Sequence, residues 1–426
     1  MRRGLRPSRL GRHRRKLVGR GVILVLGTLD TKLPEIAFLA ECIRARGYRP
    51  WIVDLSLREA PGGVADVPRE KILEAAGTSP HNLEAMPKSE AMGAVAAGAG
   101  VLVRAMVENG EATAVVAVGG GQGTWLASSV MRALPLGFPK LIASTIANRD
   151  IAPFVGYRDV TMMPTVVDLA GLNSILKPIL ANAAGAICGM AGVTAASPQP
   201  PKPRLALTMF GVTTLCATRA RAALETAGFE VVVFHANGVG GATMEDLVRE
   251  GYFVGVVDLT TTELIDELVG GICSAGPHRL EAAGVLGLPQ IVVPGAMDVV
   301  NFGPPESVPA RFAERRLHAH TPVATLMRTS VEESAVVGKI MAQKLNRGRG
   351  RITVLIPIGG FSALDAPGGP FEDRAANEAF VLSLRQFLNP AIVVREFPDH
   401  INSERFAQAV IDATLMACPV VQQTSP

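Results

Sequence analysis

The chain has 426 residues, more than a single hydrophobic core usually supports, so two domains are expected. A hydrophobic fraction of 48% with only 19% charged residues excludes a disordered chain. The net charge of +4 arises in residues 1–20, which hold nine of the 42 basic residues and no acid, and the remainder is net −5. We expect residues 1–20 to be a basic disordered tail, and we expect no nucleic-acid binding by the folded body.

The sequence also predicts the compartment. No uninterrupted apolar stretch reaches the length of a membrane span, and the first residues lack the apolar core of a signal peptide. The five cysteines are widely scattered, without a CxxC pair. This pattern predicts reduced thiols in a cytoplasmic protein that contacts no membrane.

Apolar strands alternate with helices over residues 21–195. In chain order we expect a strand at 21–26, a helix that starts at Pro34, a strand at 50–54, a helix at 88–109, a strand at 112–118, a helix to about 134, a strand at 140–144 and two apolar helices over 166–190. Residues 196–204 contain four prolines and predict a linker.

The same alternation returns over residues 205–426. Strands are expected at 205–210, 230–235, 255–259, 290–294, 323–328, 352–357 and 391–396, with helices between them. The predicted fold is therefore α/β, with two lobes that are each an open, mostly parallel sheet flanked by helices, in a Rossmann-like arrangement.

The strongest local signal is the glycine-rich turn Gly119-Gly120-Gly121-Gln-Gly123-Thr124, between a buried strand and a helix. Glycines allow backbone N–H groups to approach an anion, and the helix N-terminus adds a favourable dipole. The spacing matches neither of the common phosphate-binding fingerprints. The turn therefore indicates a phosphate site through the general mechanism alone, or a tight turn without a ligand.

A second polar turn follows the first strand, at Gly27-Thr28-Leu-Asp30-Thr31-Lys32. Its hydroxyls and lysine suit phosphate, and Asp30 suits Mg²⁺, although Asp30 could instead cap the next helix. Because parallel strands end at one edge, both turns should face one crevice. Asp54, at a strand end, is a candidate ribose ligand or a turn residue, and Ser144 and Thr145 either line the crevice or satisfy local backbone groups.

The second lobe carries candidate acid/base groups at predicted strand ends. They are His235, Asp258, Asp298 and His400. Their catalytic role is a hypothesis, because the sequence does not show which of them share a site.

Several long motifs occur in one order: residues 27–32, 119–124, 208–214, 258–263 and 293–298. Together they resemble the family that contains the ATP-binding N-terminal domain of the tomato mosaic virus resistance protein and its bacterial relatives of uncharacterised function. The resemblance runs from about residue 21 to the C-terminus. It implies two α/β subdomains, ATP bound in the first by the turns at 27–31 and 119–124, and a homodimer. The plant protein has a further barrel domain, similar to phosphoenolpyruvate-mutase-like enzymes, so a separate barrel protein is a candidate partner here.

These observations predict an ATP-binding protein. The first reading is an ATP-dependent enzyme of small-molecule metabolism, with Mg²⁺ on the phosphates and an unidentified small-molecule substrate in the cleft between the lobes. One alternative is a non-catalytic nucleotide-sensing module that docks a barrel-type partner. The other is a nicotinamide-dependent oxidoreductase, which Asp54 supports and the glycine spacing disfavours.

Overall fold

A computed structural model describes residues 21–60, 62–193 and 202–419. The chain forms two compact units, Met1–Ser197 and Pro198–Pro426. The predicted tail at 1–20 and residues 196–201 of the predicted linker lie outside the described residues, and Arg204 already begins a strand.

The first unit is built on a five-stranded parallel sheet of order β2-β1-β3-β4-β5. Its strands are β1 Val22–Gly27, β2 Arg49–Asp54, β3 Ala114–Gly119, β4 Lys140–Ser144 and β5 Thr161–Pro164. Its helices are α1 Leu29–Arg44, α2 Arg69–Ala75, α3 Pro80–Ala85, α4 Lys88–Glu108, α5 Gly121–Arg132, α6 Ala152–Val155 and α7 Leu176–Ala191.

Both faces of this sheet are covered, which explains why β1 is a continuous apolar run. Ile23 and Val25 pack with α1 and α7, whereas Leu24 and Leu26 pack with α2, α4 and α5. The helix α4 has the length and hydropathy of a membrane span. However, residues along it, such as Val95 and Val103, are buried in the same hydrophobic cluster as Leu24 and Leu26. We therefore interpret α4 as a core helix.

The second unit is built on a six-stranded parallel sheet of order β14-β13-β9-β8-β6-β7, beside a three-stranded antiparallel sheet of order β10-β12-β11. Its strands are β6 Arg204–Met209, β7 Glu230–His235, β8 Gly255–Thr260, β9 Gln290–Gly295, β10 Val299–Phe302, β11 Leu317–Thr321, β12 Ala324–Arg328, β13 Ile352–Pro357 and β14 Val393–Phe397. Its helices are α8 Thr214–Thr226, α9 Val239–Arg249, α10 Glu263–Val269, α11 Ala282–Leu286, α12 Val331–Leu345, α13 Arg374–Phe387 and α14 Glu404–Ala417.

The α/β class and the two mostly parallel sheets are confirmed, but one local prediction is wrong. Residues 166–190 contain one helix, α7, instead of the predicted pair. The backbone of α1 is not helical at Lys32, so a short turn from Leu29 precedes the break and the regular helix after it has Pro34 in its first turn, as predicted. The strand predicted at 323–328 is present as β12, and it belongs to the antiparallel sheet, whose exposed strand β11 carries little apolar signal.

Candidate functional site

The carboxyl ends of β1 and β3 form a topological switch point. These strands are adjacent and parallel. The chain leaves β1 for α1 on one face of the sheet, and it leaves β3 for α5 on the opposite face. Where neighbouring connections diverge in this way, open α/β sheets have a crevice that binds ligands. Both predicted turns, 27–32 and 119–124, begin at this point.

The glycine turn after β3 is shaped for an approaching anion. A Cβ on Gly119 would lie 2.7 Å from the carbonyl carbon of Gly123, so the tight turn requires glycine. By contrast, a Cβ on Gly121 would meet nothing within 4 Å, and Gly121 is exposed. No side chain caps α5 at Gly120. The first turn of this 12-residue helix thus has no side-chain cap, and an uncapped helix N-terminus favours negative charge.

The hydroxyls beside this turn have different roles. Thr124 is buried. Its Oγ1 lies 3.2 Å from the Gly119 carbonyl, to which it can donate, and 2.6 Å from Ser144 Oγ, where either hydroxyl can be the donor. Ser144 Oγ also accepts from the Ile146 N–H at 3.1 Å. These two side chains join the ends of β3 and β4, so contact with phosphate through them stays a prediction. Thr145 lies closer to the opening, because a Cβ on Gly120 would be 3.7 Å from its Oγ1.

The turn after β1 already has its backbone donors occupied. Asp54 Oδ1 accepts from the Leu29 N–H at 3.3 Å and from the Ser56 N–H at 3.0 Å, and Ser56 Oγ accepts from the Asp30 N–H at 3.0 Å. Burial raises the pKa of Asp54, although the hydrogen bonds from Ser56 and Leu29 oppose that rise. The end of β2 thus provides acceptors for the first turn of α1. Asp54 Oδ1 is a structural acceptor, and a role of Asp54 as a ribose ligand stays a prediction.

The side chains of the same turn bond mostly to one another. Thr28 Oγ1 and Thr31 Oγ1 lie 2.9 Å apart, and Thr31 Oγ1 also lies 3.3 Å from Asp30 Oδ1. Lys32 Nζ donates to the Leu169 carbonyl. Asp30 is half-buried in the turn that follows β1. A role for Asp30 as a Mg²⁺ ligand stays a prediction. A Cβ on Gly27 would lie 2.3 Å from Ile36 Cδ1, so a larger residue there would require the Ile36 side chain to move.

The candidate acid/base residues of the second unit lie in different surroundings. His235 ends β7, and its exposed ring stacks on Phe210 at 5.2 Å. His400 follows β14, and the nearby Asn402 donates to the Val212 carbonyl at 2.9 Å, beside the start of α8. Asp298 is fully buried and accepts from Ser362 Oγ at 2.6 Å. Burial raises the pKa of Asp298 to about 7. Asp258 is buried in an ion pair, described next.

A buried arginine is the main polar feature that sequence reasoning missed. Arg279 is completely buried and donates to both carboxylate oxygens of Asp258, at 2.5 and 2.6 Å. Its Nε donates to Glu263 at 2.5 Å, and Nη1 lies 3.4 Å from Glu245. Nothing in the local sequence signals this, because the partners lie 16 to 34 positions away. The cluster fixes β8 to α9 and α10, and it leaves Asp258 no free oxygen for catalysis.

The second unit also contains a cavity of about 450 Å³, lined by residues that include Gly350, Arg351, Asn389 and Arg395. The first three of these directly precede β13 and β14 or lie at their amino ends. Open α/β sheets bind ligands at the opposite, carboxyl ends of their strands. We place the candidate site at the β1/β3 switch point, because the connections of neighbouring strands diverge there and the first turn of α5 has no side-chain cap.

The fold and this site define a two-unit α/β protein with a doubly wound, Rossmann-like sheet in each unit. Residues 21–196 match the N-terminal domain, and residues 202–418 the C-terminal domain, of the uncharacterised protein family UPF0261. The chain belongs to this family.

Relatives support the assignment over more than nine tenths of the chain. A UPF0261 protein of Clostridium tetani is 40% identical over 390 residues, which cover 91% of this chain and 96% of that protein. A UPF0261 protein of Mesorhizobium japonicum is 42% identical, with coverage of 91% and 97%. The ToMV resistance protein Tm-1(GCR237) of Solanum lycopersicum is 36% identical over 93% of this chain but only 56% of the plant protein.

Solved structures offer only distant likenesses. They include UDP-N-acetylglucosamine 2-epimerase from Rickettsia bellii, with 11% identity, a TM-score of 0.20 and coverage of 66% of this chain and 82% of that one. Acinetobacter baumannii MurG has 12% identity, a TM-score of 0.21 and coverage of 92% and 98%. At such TM-scores these likenesses carry no argument, and the fold assignment rests on the strand pairing.

Proposed function

We propose that the first unit binds the phosphates of ATP, with Mg²⁺, at the N-terminus of α5. One observation carries the proposal: at the β1/β3 switch point, the uncapped first turn of α5 opens to space at Gly121. The equivalent N–H groups of α1 are occupied by Asp54 and Ser56, so the two turns are not interchangeable. The family resemblance implies ATP in the first domain, held by the turns at 27–31 and 119–124, and so includes this turn.

The proposed whole-protein role is an ATP-dependent enzyme of small-molecule metabolism. We favour this role over the nicotinamide alternative, because Asp54 is buried and its Oδ1 already accepts from the Leu29 and Ser56 N–H groups. A Mg²⁺ ion fits the phosphate chemistry, since it needs only one or two protein carboxylates, and Asp30 is the acid at the turn. A titration of the protein with ATP and with NAD, each with Mg²⁺, separates these two ligands directly.

The decisive experiment compares two helical glycines. Gly121→Val places a branched side chain in the proposed phosphate space, and Gly93→Val is the matched control, because a Cβ on Gly93 in α4 also meets nothing within 4 Å. Both variants should fold like the parent chain by circular dichroism. Calorimetry should show at least a tenfold loss of ATP affinity for Gly121→Val and no change for Gly93→Val. An unchanged affinity in Gly121→Val, or no ATP binding by the parent, would refute the proposal.

A further inference from the structure

The stretch that follows β5, residues 165–171, crosses the carboxyl edge of the first sheet; we call it the crossing segment. It begins where the Thr165 N–H donates to the Ser144 carbonyl at 3.0 Å, at the end of β4. It ends at α1, where Leu169 O accepts from Lys32 Nζ and the Gly171 N–H donates to Glu35 Oε1 at 2.7 Å. In the sheet, β3 and β4 separate β5 from β1. The segment therefore passes beside the strand ends that border the switch point.

One residue of the crossing segment has a costly backbone. Val166 has a φ of +64°, in the left-handed region that β-branched residues rarely adopt. The Val167 N–H donates to the Thr165 carbonyl at 2.7 Å, and Thr165 Oγ1 donates to the Val167 carbonyl at 2.8 Å, so the turn is held from both sides. Glycine would satisfy this conformation without strain.

Burial does not explain the choice of valine. The side chain of Val166 is 82% exposed, whereas Thr165 and Leu169 in the same segment are completely buried. An exposed valine gains almost no stabilisation from the core. The fold thus maintains a strained turn that displays an apolar side chain at the carboxyl edge, and strain of this kind clusters at ligand sites.

The position of Val166 relates it to the phosphate turn. Val166 follows β5 and Gly120 follows β3, with β4 between them. Two strand spacings place their backbones roughly 10 Å apart. The phosphates and the ring of a nucleotide are separated by a ribose, so one molecule can reach from the turn at Gly120 towards Val166.

We propose that Val166 contacts the nucleobase of the nucleotide whose phosphates lie at α5, and thereby contributes to affinity for the ring. This inference rests on the proposed function. It predicts that substitutions of Val166 change the binding affinity for the nucleobase ring and leave the affinity for the phosphate chain unchanged. The valine side chain supplies an apolar surface, and its fixed backbone holds that surface in place before the ligand arrives.

Two substitutions test the contact. Val166→Gly relieves the strain and removes the side chain, and Val166→Asn keeps a residue that tolerates the left-handed region while replacing the apolar surface. Val101→Ala, at a 60% exposed valine in α4, is the control for surface truncation. Calorimetry with Mg-ATP and with inorganic tripolyphosphate measures the ring and the phosphate contributions separately, and a thermal melt records stability.

We expect Val166→Gly to melt at the same or a higher temperature than the parent and to bind ATP at least fivefold more weakly, with tripolyphosphate affinity unchanged. Val166→Asn should weaken ATP in the same direction, and Val101→Ala should change neither ligand. If the parent binds ATP and both Val166 variants bind it equally well, this inference is wrong while the proposed function stands. If the parent binds no ATP, both are wrong.

Discussion

Replacement of Arg279 by methionine should destabilise the second unit strongly. Methionine approximates the length of the arginine stem but removes its charge and donors. In the parent chain the guanidinium contacts Asp258 and Glu263 at 2.5 Å, and all three residues are completely buried. Loss of the cation leaves buried carboxylates without their partner, a change that typically costs about 3–5 kcal/mol.

The loss should also depend on pH. Burial raises the pKa of Glu263, and Arg279 opposes that rise. Without Arg279 the pKa of Glu263 in the folded variant rises further. Between the pKa of the unfolded chain and this higher pKa, Glu263 binds a proton in the folded state but not in the unfolded state. A carboxyl group with a raised folded-state pKa stabilises most at low pH and loses that contribution as pH rises through the folded-state value. Arg279→Met should therefore be less destabilised at pH 5 than at pH 8.

Urea denaturation followed by circular dichroism measures the effect. With a urea dependence of about 1–3 kcal/mol per molar, a loss of about 3–5 kcal/mol should lower the midpoint of the second unit by about 1–5 M. Both tryptophans, Trp51 and Trp125, belong to the first unit, so their fluorescence reports on that unit separately. Arg221→Ala removes an exposed ion pair with Glu225 and should cost less than about 1 kcal/mol. A loss below about 1 kcal/mol in Arg279→Met, or an equal loss at both pH values, would contradict the reasoning.

Three further changes have defined outcomes. Gly119→Ala should destabilise the first unit by about 1–3 kcal/mol in urea melts, since its Cβ would lie 2.7 Å from the backbone of Gly123. Gly93→Ala, where the Cβ meets nothing within 4 Å, should cause no such loss. Equal stabilities of the two variants would argue against the tight turn. Asp54→Ala should cost about 1–3 kcal/mol, measured by tryptophan fluorescence, because it removes a buried acceptor of two N–H groups; no loss would exclude that role. The pKa of Asp298 is raised from 3.8 to about 7. The contribution of Asp298 to the stability of the fold should be full below about pH 4 and lost as pH rises through about 7. Asp298→Asn should therefore flatten the fall in stability between pH 5 and 8. An unchanged dependence of stability on pH would assign that fall to other groups.

The sequence was sufficient for the elements that carry a strong periodic signal. The apolar runs that became β1 and β3, and the glycines that follow them, predict parallel strands with turns at one edge, and the strand pairing has this arrangement. Short or exposed elements were missed. The four-residue β5 and the exposed β11 bury few side chains, so their hydrophobic patterns are weak.

Local sequence determined that two glycine-bearing turns follow buried strands, because apolar composition and glycine act over a few residues. Only the tertiary structure decided that Asp54 and Ser56 accept from the first N–H groups of α1 while α5 has no side-chain cap. It also decided that Asp258 is committed to Arg279, and that Val166 is held exposed at the strand ends. These outcomes depend on residues distant in the chain, whose proximity arises only when the sheets assemble.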